Sequence, residues 1–145
     1  MTDGELVVRR ATLGDVERLG ALNEQLIVDE GASTPERGAE LVARMHGFLT
    51  GGYDAAFVER DGEVVAYALW RPDGDGVHVR QFFVVRAHRR AGVGRRAFAL
   101  LTEELWPDRA LALDVLVSNE RGLGFWRSLG FVDHTVGMRR APLRG

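Results

Sequence analysis

Cysteine and lysine are both absent from this 145-residue chain. Without cysteine the chain can form no disulfide, no thiolate metal site and no covalent intermediate on a thiol. Any acyl group that the protein transfers must therefore pass directly to its acceptor, or through an oxygen or a nitrogen. All 19 basic residues are arginines, which we interpret as the mark of a GC-rich genome rather than of a function.

The sequence also lacks a long apolar span and a basic leader followed by an apolar segment. We therefore expect a cytoplasmic protein with no membrane partner. A net charge of −2 argues against a general nucleic-acid-binding surface. With 46% hydrophobic residues in 145, the chain is predicted to form one domain over residues 1–145.

Apolar residues recur along the chain either with the two-residue period of a strand or with the spacing of a helix. Period-two or continuous apolar runs predict strands at residues 5–10, 55–59, 64–70, 77–85, 111–117 and 131–140. Capping residues and helical spacing predict helices after residues 12–15, at 35–49, from the turn that follows residue 85, and at 119–129. The order β-α-α-β-β-β-α-β-α-β predicts an α/β fold, a mixed sheet with helices on both faces.

An arginine- and glycine-rich turn joins the strand at 77–85 to the following helix. Gly92 and Gly94 have no Cβ, so the backbone can approach a ligand closely. The first N–H groups of the following helix then point at that ligand, and the helix dipole favours an anion there. The turn is therefore predicted to bind a pyrophosphate.

The glycines also fit a dinucleotide fingerprint, because Ala97 completes G-x-G-x-x-A and Asp114 follows at a suitable distance. In that fold the glycines follow the strand almost directly, whereas six residues intervene here. Asp114 also lies inside an apolar run rather than at the end of a strand. A dinucleotide-binding oxidoreductase is therefore the least favoured alternative.

The pattern Arg89-x-x-Gly92-x-Gly94 resembles the Q/R-x-x-G-x-G/A signature of the GNAT superfamily of N-acetyltransferases. Downstream, Asn119 and the pair Phe125-Trp126 resemble the family's fifth-strand asparagine and the helix that follows it. The resemblance implies the GNAT fold, with splayed fourth and fifth strands, and acetyl-coenzyme A as co-substrate in the cleft between them.

The resemblance also implies the residues that bind this coenzyme. An N–H near Val84 would lie against the thioester carbonyl and stabilise the oxyanion of the transfer reaction. Asn119 would contact the pantetheine, although an ordinary helix N-cap explains it equally well. The expected binding residues are Phe83, Val84, Val85, Arg89, Arg90, Ala91, Gly92, Val93, Gly94, Arg95, Asn119 and Trp126.

His78 falls where some members of the family carry a catalytic Glu or His on the fourth strand, so we expect it to accept the amine proton. An imidazole suits this role near neutral pH. Arg80, two residues on, is predicted to share its face of the strand. Trp126 occupies the position where the family often has a proton-donating Tyr, and an indole cannot donate a proton near neutral pH. Tyr53, Tyr67 or water could protonate the leaving thiolate instead, and the weaker candidates for the base are Glu59, Gln81 and Asp114.

The predicted function is direct transfer of the acetyl group to an amine of a small molecule or peptide, without a metal. A non-catalytic acyl-coenzyme A-binding module of the same fold is the alternative. Acidic residues between positions 29 and 54 favour a cationic acceptor, whereas Arg80 favours one with a carboxylate. These two indications disagree. The sequence also leaves open whether the protein forms a homodimer.

Overall fold

The computed structural model describes residues 4–31, 37–89 and 91–143. It divides into two compact units, Met1–Asp114 and Val115–Gly145. The first contains β1 (Leu6–Arg10), α1 (Val16–Asp29), α2 (Ala39–Thr50), β2 (Asp54–Arg60), β3 (Glu63–Asp73), β4 (Gly76–Val84), α3 (Val93–Leu105) and β5 (Leu111–Ala112). The second contains α4 (Glu120–Ser128). The predicted α/β class and the order of elements through α4 are confirmed.

The five strands form one mixed sheet in the order β1-β2-β3-β4-β5. The first four are antiparallel neighbours, and β5 runs parallel to β4. The turn between β2 and β3 has positive φ at both Asp61 (53°) and Gly62 (80°), as the Asp-Gly pair predicts for a tight hairpin.

β3 is covered on both faces, and residues 64–70 are all buried. One face packs on α1 and α2 through a cluster that includes Leu19, Met45 and Phe83. The other face packs on α3, where the Phe82 and Phe98 rings meet at 5.2 Å between centroids. A strand that is apolar on both sides thus lies between two helical layers.

β4 and β5 pair only at their first residues, Val77 with Leu111 and His78 with Ala112. The expected splay of the fourth and fifth strands is therefore confirmed. The strand predicted over residues 111–117 is wrong in length, because residues 113–117 form no ladder within the described part of the chain. An apolar run forms a strand only where a neighbour satisfies its backbone groups, and β4 diverges after His78.

Two other predicted boundaries also differ. Helix α2 begins at Ala39 instead of residue 35, because the backbone of Gly38, with φ 45°, is not in the right-handed helical conformation. The predicted capping residues 33–36 lie outside the described residues. The last predicted strand, at 131–140, is wrong, since these residues carry neither helix nor strand. Their alternating pattern permits an extended segment, but no strand among the described residues pairs with it.

Candidate functional site

The edge of β4 that faces the splay presents alternate backbone N–H groups. Val85 N–H donates to Val65 O at 2.8 Å, so the backbone groups of Val85 and Phe83 turn toward β3. The N–H groups of Phe82 and Val84 consequently turn to the other side, where β5 has separated. The Val85 N–H therefore already belongs to the sheet, and the expected contact of Val85 with the coenzyme stays a prediction. The two-residue alternation of the strand adds Phe82 to the candidates, which the motif did not include.

A β-bulge in β4 turns Arg80 toward α2. Leu69 pairs with Gln81 and Trp70 with Val79, which leaves Arg80 as the extra residue. The Arg80 guanidinium lies over the ring of Phe48, with 4.9 Å between Cζ and the ring centroid. Bulges often redirect a side chain beside a functional site, and this one puts an exposed cation on the α1/α2 face of the sheet.

His78 forms a pair with Asp114 at the point where β4 and β5 separate. Its Nε2 lies 3.2 Å from Asp114 Oδ2, and its Nδ1 is buried without a partner in the described residues. The His78 side chain is 19% exposed and that of Asp114 is 86% exposed. The Nε2 atom of His78 thus lies beside an exposed carboxylate. The sequence suggested both residues but not that they pair.

The spacing along β4 limits what His78 can reach. His78 and Val84 are six residues apart, which is about 20 Å along a strand, whereas His78 and Phe82 are roughly 13 Å apart or less because of the bulge. A base at His78 cannot contact a group that is held at the Val84 N–H. It can reach one near Phe82 through ordered water.

The turn before α3 has a left-handed backbone at two successive residues. Ala91 and Gly92 both have positive φ, 53° and 72°, and α3 begins at Val93. Arg96 N–H donates to Gly92 O at 3.1 Å, so the helical N–H groups before it point out of the N-terminus. A Cβ at Gly92 would meet no atom of the described residues within 4 Å, its two chain neighbours aside. Arg90, another predicted phosphate contact, lies outside the described residues.

The guanidinium of Arg89 makes contacts within the protein, and its predicted contact with phosphate stays a prediction. Its Nη1 lies 2.8 Å from Asp29 Oδ2, and its Nε donates to Val84 O at 2.8 Å. It also lies over the Phe83 ring, 5.1 Å from the centroid. Arg86 Nη2 donates to the other oxygen of Asp29 at 2.7 Å. We call these three charged residues, Asp29, Arg86 and Arg89, the Asp29 clamp; it joins the end of α1 to the end of β4 and the turn beyond it.

Charge and burial shift three pKa values near this clamp. Burial raises the pKa of Asp29, but the hydrogen bonds from Arg86 and Arg89 outweigh it, so the pKa of Asp29 lies below its ordinary value. Burial and the charge of Asp29 raise the pKa of Glu30. Burial also raises the pKa of Tyr67, and a fully buried phenol of raised pKa is a poor proton donor to a ligand.

The remaining predicted residues have structural partners. Tyr67 donates to Gln81 Oε1 at 2.7 Å, and Glu59 pairs with Arg9 at 3.1 Å. In the second unit, Asn119 caps α4, since its Oδ1 accepts from Gly122 N–H at 2.9 Å. The N-cap explanation of Asn119 is therefore confirmed, and its contact with pantetheine stays a prediction.

Trp126 packs within the second unit between two phenylalanines. Its ring lies 4.9 Å from that of Phe125 and 5.4 Å from that of Phe131. A role in the coenzyme channel stays a prediction.

An open groove lies between α1 and the end of β4. Its volume is about 510 Å³, and its walls include Gln25 and Val28 from α1, with Phe83 and Arg86 from the other side. Asp29 also lines it, so the clamp forms one end of the groove. A small organic molecule would fit a space of this size.

The geometry of the splayed strands and the glycine turn agrees with comparisons to known proteins. The model of the acetyltransferase (GNAT) family matches residues 23–131. The chain belongs to this family. A search of curated proteins found no match. None of the helices in the described residues is long and apolar enough to cross a membrane.

Solved structures of GNAT-like proteins share this fold at low sequence identity. A possible acetyltransferase from Clostridium difficile 630 has a TM-score of 0.76 at 16% identity, over 97% of this chain and 99% of that chain. An aminoglycoside N-acetyltransferase in complex with CoA has a TM-score of 0.74 at 16% identity, over 99% and 98%. A predicted acetyltransferase with acetyl-CoA from Clostridium acetobutylicum has a TM-score of 0.72 at 15% identity, over 94% and 96%.

The clamp gives a testable pH dependence of stability. Asp29→Asn is expected to lower the free energy of unfolding at pH 7 by on the order of 1–2 kcal/mol, because it removes the charge that two arginines share. The folded-state pKa of Asp29 is lowered, so its stabilisation is present above the unfolded pKa of about 3.9 and disappears as pH falls through the folded value. Urea denaturation from pH 7 to pH 2 measures this difference.

Asp54→Asn is the matched control, since it removes an exposed carboxylate at the start of β2. Its stability should follow that of the unmodified protein at pH 7. Equal stability of Asp29→Asn and Asp54→Asn at that pH would contradict the role of the clamp.

Proposed function

We propose that the protein transfers the acetyl group of acetyl-coenzyme A directly to an amine, with residues 1–145 acting as one acetyltransferase domain. The observation that carries the proposal is the divergence of β4 and β5 beside an open α3 N-terminus. The splay exposes a strand edge that can pair with an extended ligand, and the helix N-terminus attracts its phosphates. The CoA and acetyl-CoA complexes of two structural neighbours support this choice of co-substrate.

The residues present fit such a coenzyme. The N–H groups of Val93, Gly94 and Arg95 would bind the pyrophosphate, and the positive φ of Gly92 aims the turn toward it. The N–H groups of Phe82 and Val84 would pair with the pantetheine arm as an added strand. The bound thioester supplies an acetyl group that is already activated for attack by an amine.

In this proposal Arg89 acts as a positioning residue. The contacts of its guanidinium with Asp29 and the Val84 carbonyl fix the end of β4 relative to the turn. A guanidinium that donates to both a carboxylate and a carbonyl fixes the positions of these two groups relative to each other. The positions of the Val84 N–H and the α3 N-terminus are thus coupled, and both ends of a long ligand can be bound at once.

His78 would take the proton that the amine loses. Its Nε2 lies 3.2 Å from Asp114 Oδ2, so a proton taken up there would be shared with a carboxylate. The spacing along β4 makes an ordered water the link between the amine and His78. An N–H donor at Phe82 would then stabilise the developing oxyanion within reach of this proton path.

The leaving thiolate is expected to take its proton from water. Trp126 has no acidic proton to give, and Tyr67 is buried with a raised pKa. Tyr53, the other tyrosine of the chain, accepts a hydrogen bond from Arg80. This lack of a committed acid favours a non-catalytic acyl-coenzyme A-binding module as the second candidate, which would bind the coenzyme without turnover.

The first test concerns the glycine turn. Gly92→Asp is expected to raise the Kd for acetyl-coenzyme A at least a hundredfold, roughly 2.7 kcal/mol, because a carboxylate at the N-cap occupies the α3 N–H groups and repels phosphate. Gly92→Asn, the control, has the same shape and tolerates positive φ, so its Kd should rise less. Calorimetry measures both, and unchanged affinity in a folded Gly92→Asp variant would remove the basis of the proposal.

The second test separates the enzyme from the binding module. His78→Ala should reduce turnover by roughly a hundredfold, the usual contribution of a general base, while acetyl-coenzyme A still binds. His46→Ala, which removes an exposed histidine of α2, should leave turnover unchanged. Thiol release over a panel of amines measures turnover. If the unmodified protein binds acetyl-coenzyme A but releases no thiol, the non-catalytic module is favoured. If His78→Ala leaves turnover unchanged, His78 is not the base, and water must accept the proton of the amine.

A further inference from the structure

Arg80 is held in place by aromatic side chains and not by an acid. Its Cζ lies 4.9 Å from the Phe48 centroid and 5.9 Å from the Tyr53 centroid, and its Nη1 donates to the Tyr53 hydroxyl at 3.4 Å. Cation–π contacts of this kind orient a guanidinium without neutralising its charge. The side chain is exposed, so most of its five N–H donors remain accessible.

Other arginines near this part of the sheet have carboxylate partners. Arg86 and Arg89 both pair with Asp29, and Arg9 pairs with Glu59. Within residues 4–31, 37–89 and 91–143, no carboxylate lies within salt-bridge distance of Arg80. A preoriented cation whose charge is uncompensated by the described residues is well suited to bind an anionic group of a ligand.

The position of Arg80 relates it to the proposed transfer site. On the α1/α2 face of β4, His78 comes two residues before it, about 7 Å along the strand. The Phe82 N–H comes two residues after it, on the edge that faces the splay. An amine between His78 and Phe82 would have the Arg80 guanidinium within the length of a small molecule.

The structure also weakens the opposite indication for a cationic acceptor. Asp29 is already paired with Arg86 and Arg89, and the pKa of Glu30 is raised by burial and by Asp29. The part of the acidic bias between positions 29 and 54 that comes from Asp29 is therefore already compensated within the protein. Arg80 has no such partner among the described residues.

We propose that Arg80 binds a carboxylate of the acceptor, so that the substrate is an amine with a carboxylate a few bonds away, as in an α-amino acid. This inference rests on the proposed acetyl transfer. Arg80 would form a bidentate pair with the carboxylate, and the bulge in β4 gives the guanidinium the orientation that this requires. An amine that lacks the carboxylate should be a poorer substrate, because it cannot form the charge-assisted hydrogen bonds with Arg80.

The experiment compares matched amines that differ only in the carboxylate, such as phenylalanine and phenethylamine, in thiol release with acetyl-coenzyme A. The unmodified protein should have a kcat/KM at least tenfold higher for the carboxylated member. Arg80→Gln should abolish this ratio mainly through KM, and Arg80→Lys should restore part of it, because lysine keeps the charge but not the fork. Arg10→Gln, which removes the same charge from the distant edge strand β1, should leave the ratio unchanged.

A binding measurement makes the inference independent of turnover. Calorimetry with N-acetylphenylalanine and N-acetylphenethylamine on the coenzyme-free protein should give tighter binding of the carboxylated compound, and Arg80→Gln should remove the difference. Equal use and equal binding of the two members by the unmodified protein would overturn the role of Arg80 while leaving acetyl transfer intact. Absence of acetyl-coenzyme A binding would instead overturn the proposed function, and the calorimetry would still decide the carboxylate site.

Discussion

The separation of β4 from β5 after two ladder pairs is the constraint on which the candidate site depends. Because pairing stops at His78 and Ala112, the outward N–H groups of Phe82 and Val84 do not enter a ladder with β5. In the proposed function, an extended ligand with carbonyl groups pairs with this edge. The same divergence leaves His78 beside Asp114 at the base of the opening.

The Asp29 clamp maintains this opening from the other end. One carboxylate receives both Arg86 and Arg89, and Arg89 also binds the Val84 carbonyl. Helix α1, the end of β4 and the turn before α3 are thereby joined by charge-assisted hydrogen bonds. Arg89, which has the spacing of a phosphate ligand, contacts Asp29 and the Val84 carbonyl, and in the proposed function the backbone N–H groups of α3 bind the phosphates.

Local sequence signals predicted the elements whose structure is decided locally. The Asp61-Gly62 hairpin, the cap at Asn119 and the glycine turn before α3 each depend on a few neighbouring residues. The end of β5 and the residues 131–140 depend on whether a distant strand offers a ladder, which an apolar pattern does not encode. The pairing of Arg89 with Asp29, 60 positions apart, and of His78 with Asp114 likewise arises from tertiary packing. Motif spacing therefore indicated candidate residues but not the contacts that these residues make with others far along the chain.

Amide NMR of the ¹⁵N-labelled protein during titration with CoA tests the account most directly, because it reports on individual N–H groups. If CoA binds along β4 and at the N-terminus of α3, the largest saturable shifts will fall on Val93, Gly94 and Arg95 at the start of α3 and on Phe82 and Val84 at the splayed edge of β4. The inward N–H of Val85, bonded to Val65, should move much less. Saturable shifts confined to residues outside α3 and β4, or shifts on Val85 with none on Val84, would contradict it.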